Sequence, residues 1–300
     1  MTSNIVLSTE EFEVVGTRPI RHDGTDKVTG RARYSADITL PGLLYGKMLR
    51  SPHAHARIKS IDTSRALALP GVYAVVTSKD LPPVTANRKF KSNNCLADDK
   101  ALYKGHAVAA VAATSLHLAE EALSLIEVDY EVLKPVVDVL EAMKEDAPLL
   151  HDDLGSDDVS GKATNIANHV VFEVGDIEQG FREADVIVEG TYKTSPWEHA
   201  AMEQEAALAY IDEDGRVTIR AALHHFFPGR DWIASMLGLE KDQVRIICQA
   251  MGGNFGMRGD FIHVGVSSLL TSKTGKPVKL EYTREESILG SSKDRVSPTS

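Results

Sequence analysis

The amino-acid sequence predicts a mixed α/β (α+β) fold, and three stretches of the chain support this prediction. Residues 106–132 hold a run of small apolar residues, then apolar residues at helical spacing, then apolar residues alternating with acidic ones, which is the order strand, helix, strand. Residues 206–211 and 217–221 are apolar runs joined by an acidic, glycine-containing turn, as in a β-hairpin. A strand at 244–248, a glycine-rich turn and a helix over 261–273 are predicted to follow.

The first part of the chain is predicted to form an arm and one domain. Residues 1–20 show weak apolar periodicity and are interpreted as an extended N-terminal arm. Short apolar runs separated by proline and glycine predict strands at 43–45, 57–62 and 72–76. Together with the strand–helix–strand passage, these strands predict a domain over residues 21–140.

Residues 141–165 are predicted to be a linker between two domains, because they are rich in aspartate, glycine and serine. A calcium site is the alternative interpretation of the aspartates. The stretch does not contain the Asp-x-Asp-x-Asp-Gly order of a calcium-binding loop. A surface connection is therefore the preferred interpretation.

Residues 166–300 are predicted to form a second, partial domain. Apolar residues alternate over 170–174 and predict a strand, and Asp176 predicts the start of a helix in which Gln179 completes a capping box. Another strand is predicted over 186–192. The helix is expected to bury a stripe made of Ile177, Phe181 and Ala184.

Composition narrows the class of protein. The 300 residues are 43% hydrophobic and 25% charged, which is typical of a globular protein with room for two domains. The formal net charge of -10 argues against a nucleic-acid partner, because proteins that bind phosphate backbones usually carry a basic surplus. We therefore expect no nucleic acid among the ligands.

The two cysteines and the apolar runs exclude further classes. Cys95 and Cys248 lie far apart, so the sequence predicts neither a zinc site, an iron–sulfur cluster nor a disulfide, and no side-chain metal ligands. Residues 1–8 lack the basic start and long apolar stretch of a secretory signal. No run approaches the roughly 20 apolar residues that cross a bilayer. A cytoplasmic protein without a membrane partner is the expectation.

The most informative stretch is the glycine-rich loop, residues 249–260, between the predicted strand and helix. Four glycines allow close approach of backbone to a ligand, and successive N–H groups at a strand-to-helix turn can form an anion-binding concavity. Neither the Gly-x-Gly-x-x-Gly spacing of dinucleotide folds nor the Gly-Lys-Ser/Thr of a P-loop is present. From the loop alone, an ordinary structural turn remains the alternative.

Six segments in order resemble the molybdenum-binding subunit of the xanthine dehydrogenase and aldehyde oxidase family. The segments are residues 24–37 (GTDKVTGRARYSAD), 49–58 (LRSPHAHARI), 69–72 (LPGV), 128–133 (VDYEVL), 198–203 (EHAAME) and 252–258 (GGNFGMR). The first four are similar to that family's α/β hammerhead domain. The last two are similar to the start of its first cofactor-binding domain, and the resemblance spans roughly residues 16–295.

The resemblance implies a molybdenum-molybdopterin cofactor, with the cytosine dinucleotide form left open. It implies hydroxylation of an electron-poor carbon with oxygen derived from water, while electrons leave through [2Fe-2S] clusters and FAD on partner chains. Pterin sulfurs hold the metal in this family, so cysteine ligands are not required. The residues expected to bind the cofactor are Gly252, Gly253, Asn254, Phe255, Gly256, Met257 and Arg258.

The sequence departs from the family pattern at several places. Trp197 stands where many relatives have a glutamine near the metal, so that amide contact is not expected. Residues 222–225 replace a Ser-Thr-Gln segment, and His224 and His225 are candidates for binding substrate, with ordinary packing as the alternative. Arg258 replaces a lysine. It is expected either to bind an anionic group of the cofactor or to form a surface salt bridge.

No catalytic residue is assigned within this chain. Glu198, Glu203 and Glu205 are carboxylates of the type that the reaction needs as a base. The family's catalytic glutamate, however, belongs to the second cofactor-binding domain, and the resemblance ends before it. His199 is interpreted as a structural residue rather than a base.

The resemblance therefore predicts a subunit that works with other chains. A second molybdopterin subunit, as in a split nicotinate dehydrogenase, is expected to complete the site, beside an iron–sulfur subunit and a FAD subunit. The expected substrate is a small aromatic heterocycle, such as a purine or a pyridine carboxylate. The alternatives are a reductive enzyme acting on an aromatic thioester, a noncatalytic assembly or scaffold subunit, a truncated product and, more distantly, a nucleotide-binding protein.

Overall fold

The computed structural model describes residues 13–82, 95–152, 163–290 and 298–299. By its internal contacts the chain divides into two compact units, Met1–Arg33 and Tyr34–Ser300. Within the first unit, the described residues form one short helix, α1 (Gly24–Val28). Residues 1–12 of the predicted arm lie outside the described residues.

The described elements of the second unit run in the following order. The strands are β1 (Leu44–Arg50), β2 (Ala56–Asp62), β3 (Val72–Thr77), β4 (Lys100–Ala101), β5 (Ala107–Ala113), β6 (Glu127–Val132), β7 (Tyr192–Lys193), β8 (Ala206–Ile211), β9 (Val217–Ala221), β10 (Val244–Cys248), β11 (Val278–Glu281) and β12 (Pro298–Thr299). The helices are α2 (Ser64–Leu67), α3 (Leu116–Ser124), α4 (Val139–Ala142), α5 (Ile177–Glu183), α6 (Phe226–Leu237), α7 (Ile262–Thr274) and α8 (Arg284–Gly290).

Seven strands form one mixed sheet in the order β10-β9-β8-β11-β1-β5-β3. Strands β9 and β10 run parallel, as do β1 and β11, and the other neighbours are antiparallel. The sheet takes strands from both sides of residues 141–165, so the two predicted domains share it. The division into segments 1–20, 21–140, 141–165 and 166–300 remains a prediction.

Strand β5 consists of alanine and valine because both of its faces are covered by helices. On one face, Ala109 and Val111 belong to the same buried cluster as Ala119 and Ala122 of α3. On the other face, Ala110 and Ala112 belong to a cluster that includes apolar residues of α7. Small side chains let both helices approach the strand closely, and the predicted strand–helix–strand passage is confirmed.

Most of the other predicted elements are also confirmed. The strands predicted at 57–62, 72–76, 206–211, 217–221 and 244–248 match described strands to within a residue. The hairpin is antiparallel, and the predicted helix after the glycine-rich loop is α7. None of the described helices combines the length and the apolar character that crossing a bilayer requires.

Hydrogen bonds join the first described end of the predicted linker to β4 and join its two described ends to each other. The buried Lys100 pairs with Asp152 at 2.7 Å and donates to the carbonyl oxygen of Leu149. The amide of Asn165 donates to two backbone carbonyls at 3.0 and 3.2 Å. Residues 153–162 lie outside the described residues. The first end is therefore attached to β4 through Lys100, and the second end is attached to the first through Asn165.

Two strand predictions in the second half are wrong. Residues 170–174 form no strand, and of residues 186–192 only Tyr192 is in one, where β7 pairs with β12. The apolar alternation that predicted these strands belongs to exposed residues to which the structure assigns no secondary structure. In the described part of the chain, no strand pairs with these residues and no helix covers them. The apolar pattern is therefore present without the pairing and the burial that a strand of a sheet would have.

Helix α5 begins as predicted but does not bury its apolar stripe. Asp176 caps it by accepting the N–H of Gln179 at 2.9 Å. The Gln179 side chain donates to Glu183 instead of completing a capping box. Ile177 and Phe181 are 52% and 58% exposed, so the prediction of a buried stripe is wrong for this chain on its own.

Candidate functional site

The candidate site lies where the parallel strands β9 and β10 end. Ala221 and Cys248 are paired at this edge, so the loops that follow the two strands leave the sheet side by side. Carboxyl ends of parallel strands are where open α/β sheets bind ligands. The loop after β9 contains His224 and His225, and the loop after β10 is the glycine-rich loop, residues 249–260. The topology therefore brings together two segments that the sequence singled out separately.

The backbone of the glycine-rich loop has the left-handed conformations that glycine favours. Gly253 has φ 123° and Gly256 has φ 100°. Between them Phe255 has φ 52°, although it is not a glycine, and its side chain is 65% exposed. A non-glycine residue in this region costs of order 1–2 kcal/mol and often marks a functional segment. Backbone of this kind is typical of loops whose N–H groups bind an anion.

The hydrogen bonds of the loop divide its amides into two groups. The N–H of Gly252 donates to Oε2 of Glu203 at 2.7 Å, and those of Met257 and Arg258 donate to the backbone oxygen and side-chain oxygen of Asn254. The amides at 259 and 260 close a short 3-10 turn. For the four consecutive N–H groups of residues 253–256, the described part of the chain supplies no acceptor. The N–H groups of Ala250 and Met251 also lack an acceptor among the described residues, but residues 253–256 form the consecutive run of donors that a ligand could use.

Arg258 lies beneath the loop rather than on its outer side. It is 1% exposed, and its Nη2 lies 2.9 Å from Oε2 of Glu203. The same guanidinium donates to the carbonyl oxygens of Gly253, Glu203 and Gln204 at 3.1, 2.7 and 3.3 Å. Both expectations for Arg258 are corrected. The salt bridge exists, but it is buried rather than on the surface. The guanidinium donates to protein oxygens and not to an anionic group of a cofactor. Met257 is likewise buried, so both side chains support the loop from inside.

Glu203 joins the loop to the segment 198–203. Its carboxylate accepts from Gly252 and Arg258, and its N–H donates to the carbonyl oxygen of Gly252. Burial raises the pKa of the Glu203 carboxyl, and the hydrogen bond from Gly252 and the charge of Arg258 oppose that rise. A methyl group at Gly252 would lie 2.6 Å from Cβ of Glu203, so the two backbones can approach this closely only with glycine here. Glu203 thus has a structural role.

His199 and Trp197 lie beside the exposed end of the loop. His199 is buried, and a methyl group placed on Gly256 would be 3.2 Å from its Nε2 atom. The ring of Trp197 lies 5.7 Å from the ring of His199, and Trp197 itself is 55% exposed. Ala200, next in the chain, has φ 45°. His199 therefore packs under Gly256, as expected of a structural residue, while Trp197 extends the exposed surface.

His224 lies next to Gly259 of the loop, and His225 lies against His224. Their rings are 3.8 Å apart, and a methyl group on Gly259 would lie 3.2 Å from Cε1 of His224. Burial lowers the pKa of His224, the charge of His225 lowers it further, and a hydrogen bond with Asn254 opposes the shift. His225 is exposed at the first turn of α6. The structure thus brings both predicted histidines next to the loop.

A third histidine, His263, lies in the first turn of α7 and is enclosed by protein. It is 1% exposed, and neither ring nitrogen has a hydrogen-bond partner among the described residues. Burial, together with the charges of Arg258 and Arg50, lowers the pKa of His263 to about 3. The ring is therefore neutral at physiological pH.

We expect the burial of His263 to make folding pH-dependent. The unfolded chain takes up this proton near the ordinary value of 6.5, but the folded protein takes it up only near pH 3. Above pH 6.5 this histidine therefore does not lower the free energy of unfolding. As the pH falls from 6.5 toward 3, the free energy of unfolding decreases by about 1.4 kcal/mol per pH unit for this one proton. Urea denaturation at pH 7 and pH 5 should therefore show a smaller pH effect in His263→Phe than in the unchanged protein.

The control for this prediction is His117→Phe, which changes an exposed histidine on α3. Its pH dependence should match that of the unchanged protein. An equal pH dependence in His263→Phe and His117→Phe would contradict the assignment of a buried neutral ring.

The donors of the loop fit an organic cofactor better than a metal held by side chains. No group of three or more His, Cys, Asp or Glu side chains within the described residues is arranged to hold a metal ion. Four consecutive amides without an acceptor in the described part of the chain, beside an exposed aromatic ring, instead suit the polar edge of a ring system or a phosphate. A cofactor that carries its own metal ligands is compatible with this arrangement.

The buried Arg258–Glu203 pair is the part of the site that sequence reasoning missed. The partners are 55 residues apart, and each residue type suggested a different role when taken alone. The only hint in the sequence was that two segments with the same family resemblance, residues 198–203 and 252–258, contain residues of opposite charge. It carried no information about distance.

Two family models match the chain. The one described as "Aldehyde oxidase and xanthine dehydrogenase, a/b hammerhead domain" matches residues 29–134. The one described as "Molybdopterin cofactor-binding domain" matches residues 160–297, which include the whole glycine-rich loop.

Relatives match most of this chain but only part of their own length. A probable xanthine dehydrogenase chain of Bacillus subtilis (strain 168) is 37% identical over 90% of this chain and 35% of that protein. Nicotinate dehydrogenase large molybdopterin subunit of Eubacterium barkeri is 36% identical over 95% of this chain and 65% of that protein. The chain spans less than two thirds of both relatives.

Solved structures agree with these matches. Quinoline 2-oxidoreductase from Pseudomonas putida 86 has a TM-score of 0.79 and 27% identity, over 93% of this chain and 36% of that one. CO dehydrogenase from Oligotropha carboxidovorans has the same TM-score and 32% identity over the same shares. The chain belongs to the aldehyde oxidase and xanthine dehydrogenase family and combines its hammerhead domain with sequence of its molybdopterin cofactor-binding domain.

Proposed function

We propose that this chain is a molybdopterin-binding subunit of a multi-subunit molybdenum hydroxylase. The observation that carries the proposal is the row of four amides at residues 253–256 for which the described residues supply no acceptor, in a chain of a molybdopterin-binding family. Backbone N–H groups bind the polar edge of a pterin or its phosphate without a charged side chain. When bound, the cofactor supplies the redox chemistry, and the protein supplies position and surroundings.

Residues 252–258 of the loop each have a role in this proposal. The amides of Gly253, Asn254, Phe255 and Gly256 hold the cofactor, and the Phe255 ring forms a wall beside it. Gly252, Met257 and Arg258 support the loop from the inside, because their amides are hydrogen-bonded within the protein and the side chains of Met257 and Arg258 are buried. Direct contact of these three with the cofactor, which the resemblance implies, is therefore less favoured than contact of the other four.

His224 and His225 are proposed to bind the substrate. They lie next to the loop, and the lowered pKa of His224 favours a neutral ring that can accept or donate one hydrogen bond to a heterocycle. The proposed substrate is a small aromatic heterocycle of the purine or nicotinate type. Relatives named for xanthine, nicotinate, hypoxanthine and quinoline support this class.

The proposed enzyme needs other chains. A second molybdopterin subunit completes the site and supplies the catalytic carboxylate, and an iron–sulfur subunit and a FAD subunit carry the electrons away. Relatives named as a subunit or a large chain support an assembly of several chains. We place this assembly in the cytoplasm.

The test is the metal content of the native complex. We expect the tagged chain, purified from its own host grown with molybdate, to come with other subunits and with stoichiometric molybdenum by elemental analysis. A stable complex or monomer that contains no molybdenum under these conditions would overturn the proposal and favour a scaffold subunit.

A further inference from the structure

Two exposed aromatic rings lie at the glycine-rich loop, and only one of them has a role in the proposed cofactor site. Phe255 is part of the loop itself, whereas Trp197 comes from the segment that leads to Glu203. Trp197 is 55% exposed, although tryptophan is highly buried on average in folded proteins. An exposed indole offers a large flat face and one N–H donor, and such rings are common at binding surfaces.

The backbone that follows Trp197 is attached to the loop at two points. His199 packs under Gly256, where an added methyl group would lie 3.2 Å from the Nε2 atom of the histidine. Glu203 accepts the N–H of Gly252 at 2.7 Å. Both contacts are made to glycines of the loop, which allow this close approach. The position of Trp197 is therefore set by the same contacts that support the loop.

Ala200, between these two contacts, has a conformation that residues with a side chain rarely adopt. Its φ is 45°, and Phe255 has φ 52°. These two are the non-glycine residues with positive φ in the described part of the chain. Strained backbone of this kind persists only where the surrounding structure fixes it, and it is concentrated at functional sites. Here it occurs in each of the two segments that present an exposed aromatic ring.

Trp197 and the candidate residue His224 flank the same short turn of the loop. The turn runs from Gly256 to Gly259, whose N–H donates to the carbonyl oxygen of Gly256 at 3.3 Å. The ring of Trp197 lies 5.7 Å from the ring of His199, which packs against Gly256. His224 packs against Gly259, because a methyl group there would lie 3.2 Å from its Cε1 atom. The indole and the imidazole therefore border the same part of the loop.

The chemistry of these two rings suits a flat, electron-poor ligand. The face of an indole carries negative charge density, so it attracts rings whose electrons are withdrawn by nitrogen atoms or carbonyl groups. The imidazole of His224 can form a hydrogen bond with the edge of such a ring. A saturated ring of similar size could keep the hydrogen bond, but it would lose the contact between two flat faces.

We infer that Trp197 is a specificity-determining residue that stacks on the face of a planar, electron-poor heterocyclic substrate. The inference rests on the proposed function, because it adds a residue to that site and names the property of the substrate that the residue selects. Trp197 acts through the area of its flat face. Its replacement should therefore weaken binding of a flat ring while the amides of residues 253–256 keep their places.

The test measures the binding of hypoxanthine, nicotinate and quinoline to the native complex by calorimetry, after reduction with dithionite so that no substrate is oxidised. At least one of these rings should bind more tightly than the saturated cyclohexanecarboxylate. For that ring, Trp197→Ala should raise the dissociation constant roughly tenfold, which corresponds to about 1.4 kcal/mol. An unchanged dissociation constant, or no binding of any of the three rings to the unchanged complex, would overturn the inference.

Two further variants separate stacking from an effect on folding. Trp197→Phe keeps a flat face, and Trp197→Leu removes it with a smaller difference in volume than alanine makes. The affinity for the flat ring should therefore be higher in Trp197→Phe than in Trp197→Leu. Equal affinities would contradict stacking. Loss of other subunits from Trp197→Ala with unchanged affinity in the remaining complex would make Trp197 an interface residue and overturn the inference.

The matched control is Tyr73→Ala. Tyr73 is 50% exposed on β3, at the opposite edge of the seven-stranded sheet from β10. This variant should keep the circular dichroism and the ring affinity of the unchanged protein. A loss of affinity as large as that of Trp197→Ala would show that the effect does not come from the site.

Molybdenum content separates this inference from the proposed function. A complex that contains molybdenum and binds the flat ring equally well without Trp197 would reject the stacking contact alone. A complex that lacks molybdenum but binds the ring only with Trp197 present would reject the proposed function and retain the contact.

Discussion

Replacing Arg258 with methionine should destabilise the protein by about 3–5 kcal/mol, the usual cost of removing one partner from a buried ion pair. The change leaves the Glu203 carboxylate largely buried without its cation and frees three carbonyl oxygens that Arg258 satisfies. Because Arg258 also holds the carbonyl oxygen of Gly253, the loop should lose its shape. Urea denaturation and the molybdenum content of the complex measure the two effects.

The effect of Arg258→Met should depend on pH. Without Arg258, the pKa of Glu203 should rise further, because burial already raises it and the opposing charge is gone. When the pKa of this carboxyl is raised, the folded state takes up the proton at a higher pH than the unfolded state does. The loss of stability caused by the buried carboxylate is therefore full at high pH and decreases as the pH falls through the raised value. The double variant Arg258→Met/Glu203→Gln should be less destabilised than Arg258→Met at pH 8.

The control for Arg258 is Arg65→Met. Arg65 forms a 3.0 Å pair with Glu127, but both side chains are more than 60% exposed. Exposed pairs contribute between 0 and about 1 kcal/mol, so this variant should keep its stability and molybdenum. A loss from Arg258→Met no larger than that from Arg65→Met would show that the buried pair does not support the loop.

Replacing Gly256 with alanine should remove most of the molybdenum while leaving the protein folded. Gly256 has φ 100°, which a residue with a side chain rarely adopts, and the added methyl group would lie 3.2 Å from His199. To relieve this, the backbone must turn, which would change the directions of the N–H groups at residues 253–256. We expect roughly tenfold less molybdenum per chain, equivalent to about 1.4 kcal/mol of cofactor binding.

Gly215→Ala is the matched control for Gly256→Ala. Gly215 has φ 78° in the hairpin turn, with open space around its missing side chain. Both variants should lose about 1 kcal/mol of stability from backbone strain. If molybdenum content falls equally in both, the loss reflects general instability and not the geometry of the loop.

The sequence predicted those elements whose pattern is local and whose covering layer lies in the same chain. Strand β5 and helix α3 are examples, because small apolar residues and helical spacing both reflect burial within this fold. The same reasoning failed at residues 170–174 and at α5, where the apolar pattern is present but the described chain provides nothing to bury it. A periodic pattern identifies residues whose burial is favourable, but it does not identify the polypeptide that covers them.

The candidate site was predicted in part. The glycine-rich loop and the two histidines were identified from residue types and family resemblance, and the parallel pairing of β9 with β10 explains why they meet. The inward position of Arg258 was missed, because charge alone does not distinguish a ligand contact from a buried support 55 residues away. The division of the loop amides into engaged and unpaired groups also depends on backbone conformation that no local pattern specifies.

A cryo-electron microscopy map of the native complex, at a resolution that shows the cofactor, tests most directly whether residues 253–256 bind it. We expect polar atoms of a molybdopterin within about 2.7–3.2 Å of at least two of these four backbone nitrogens. A map in which the cofactor lies elsewhere, with these amides bonded to another chain or to solvent, would contradict the proposed role of the loop.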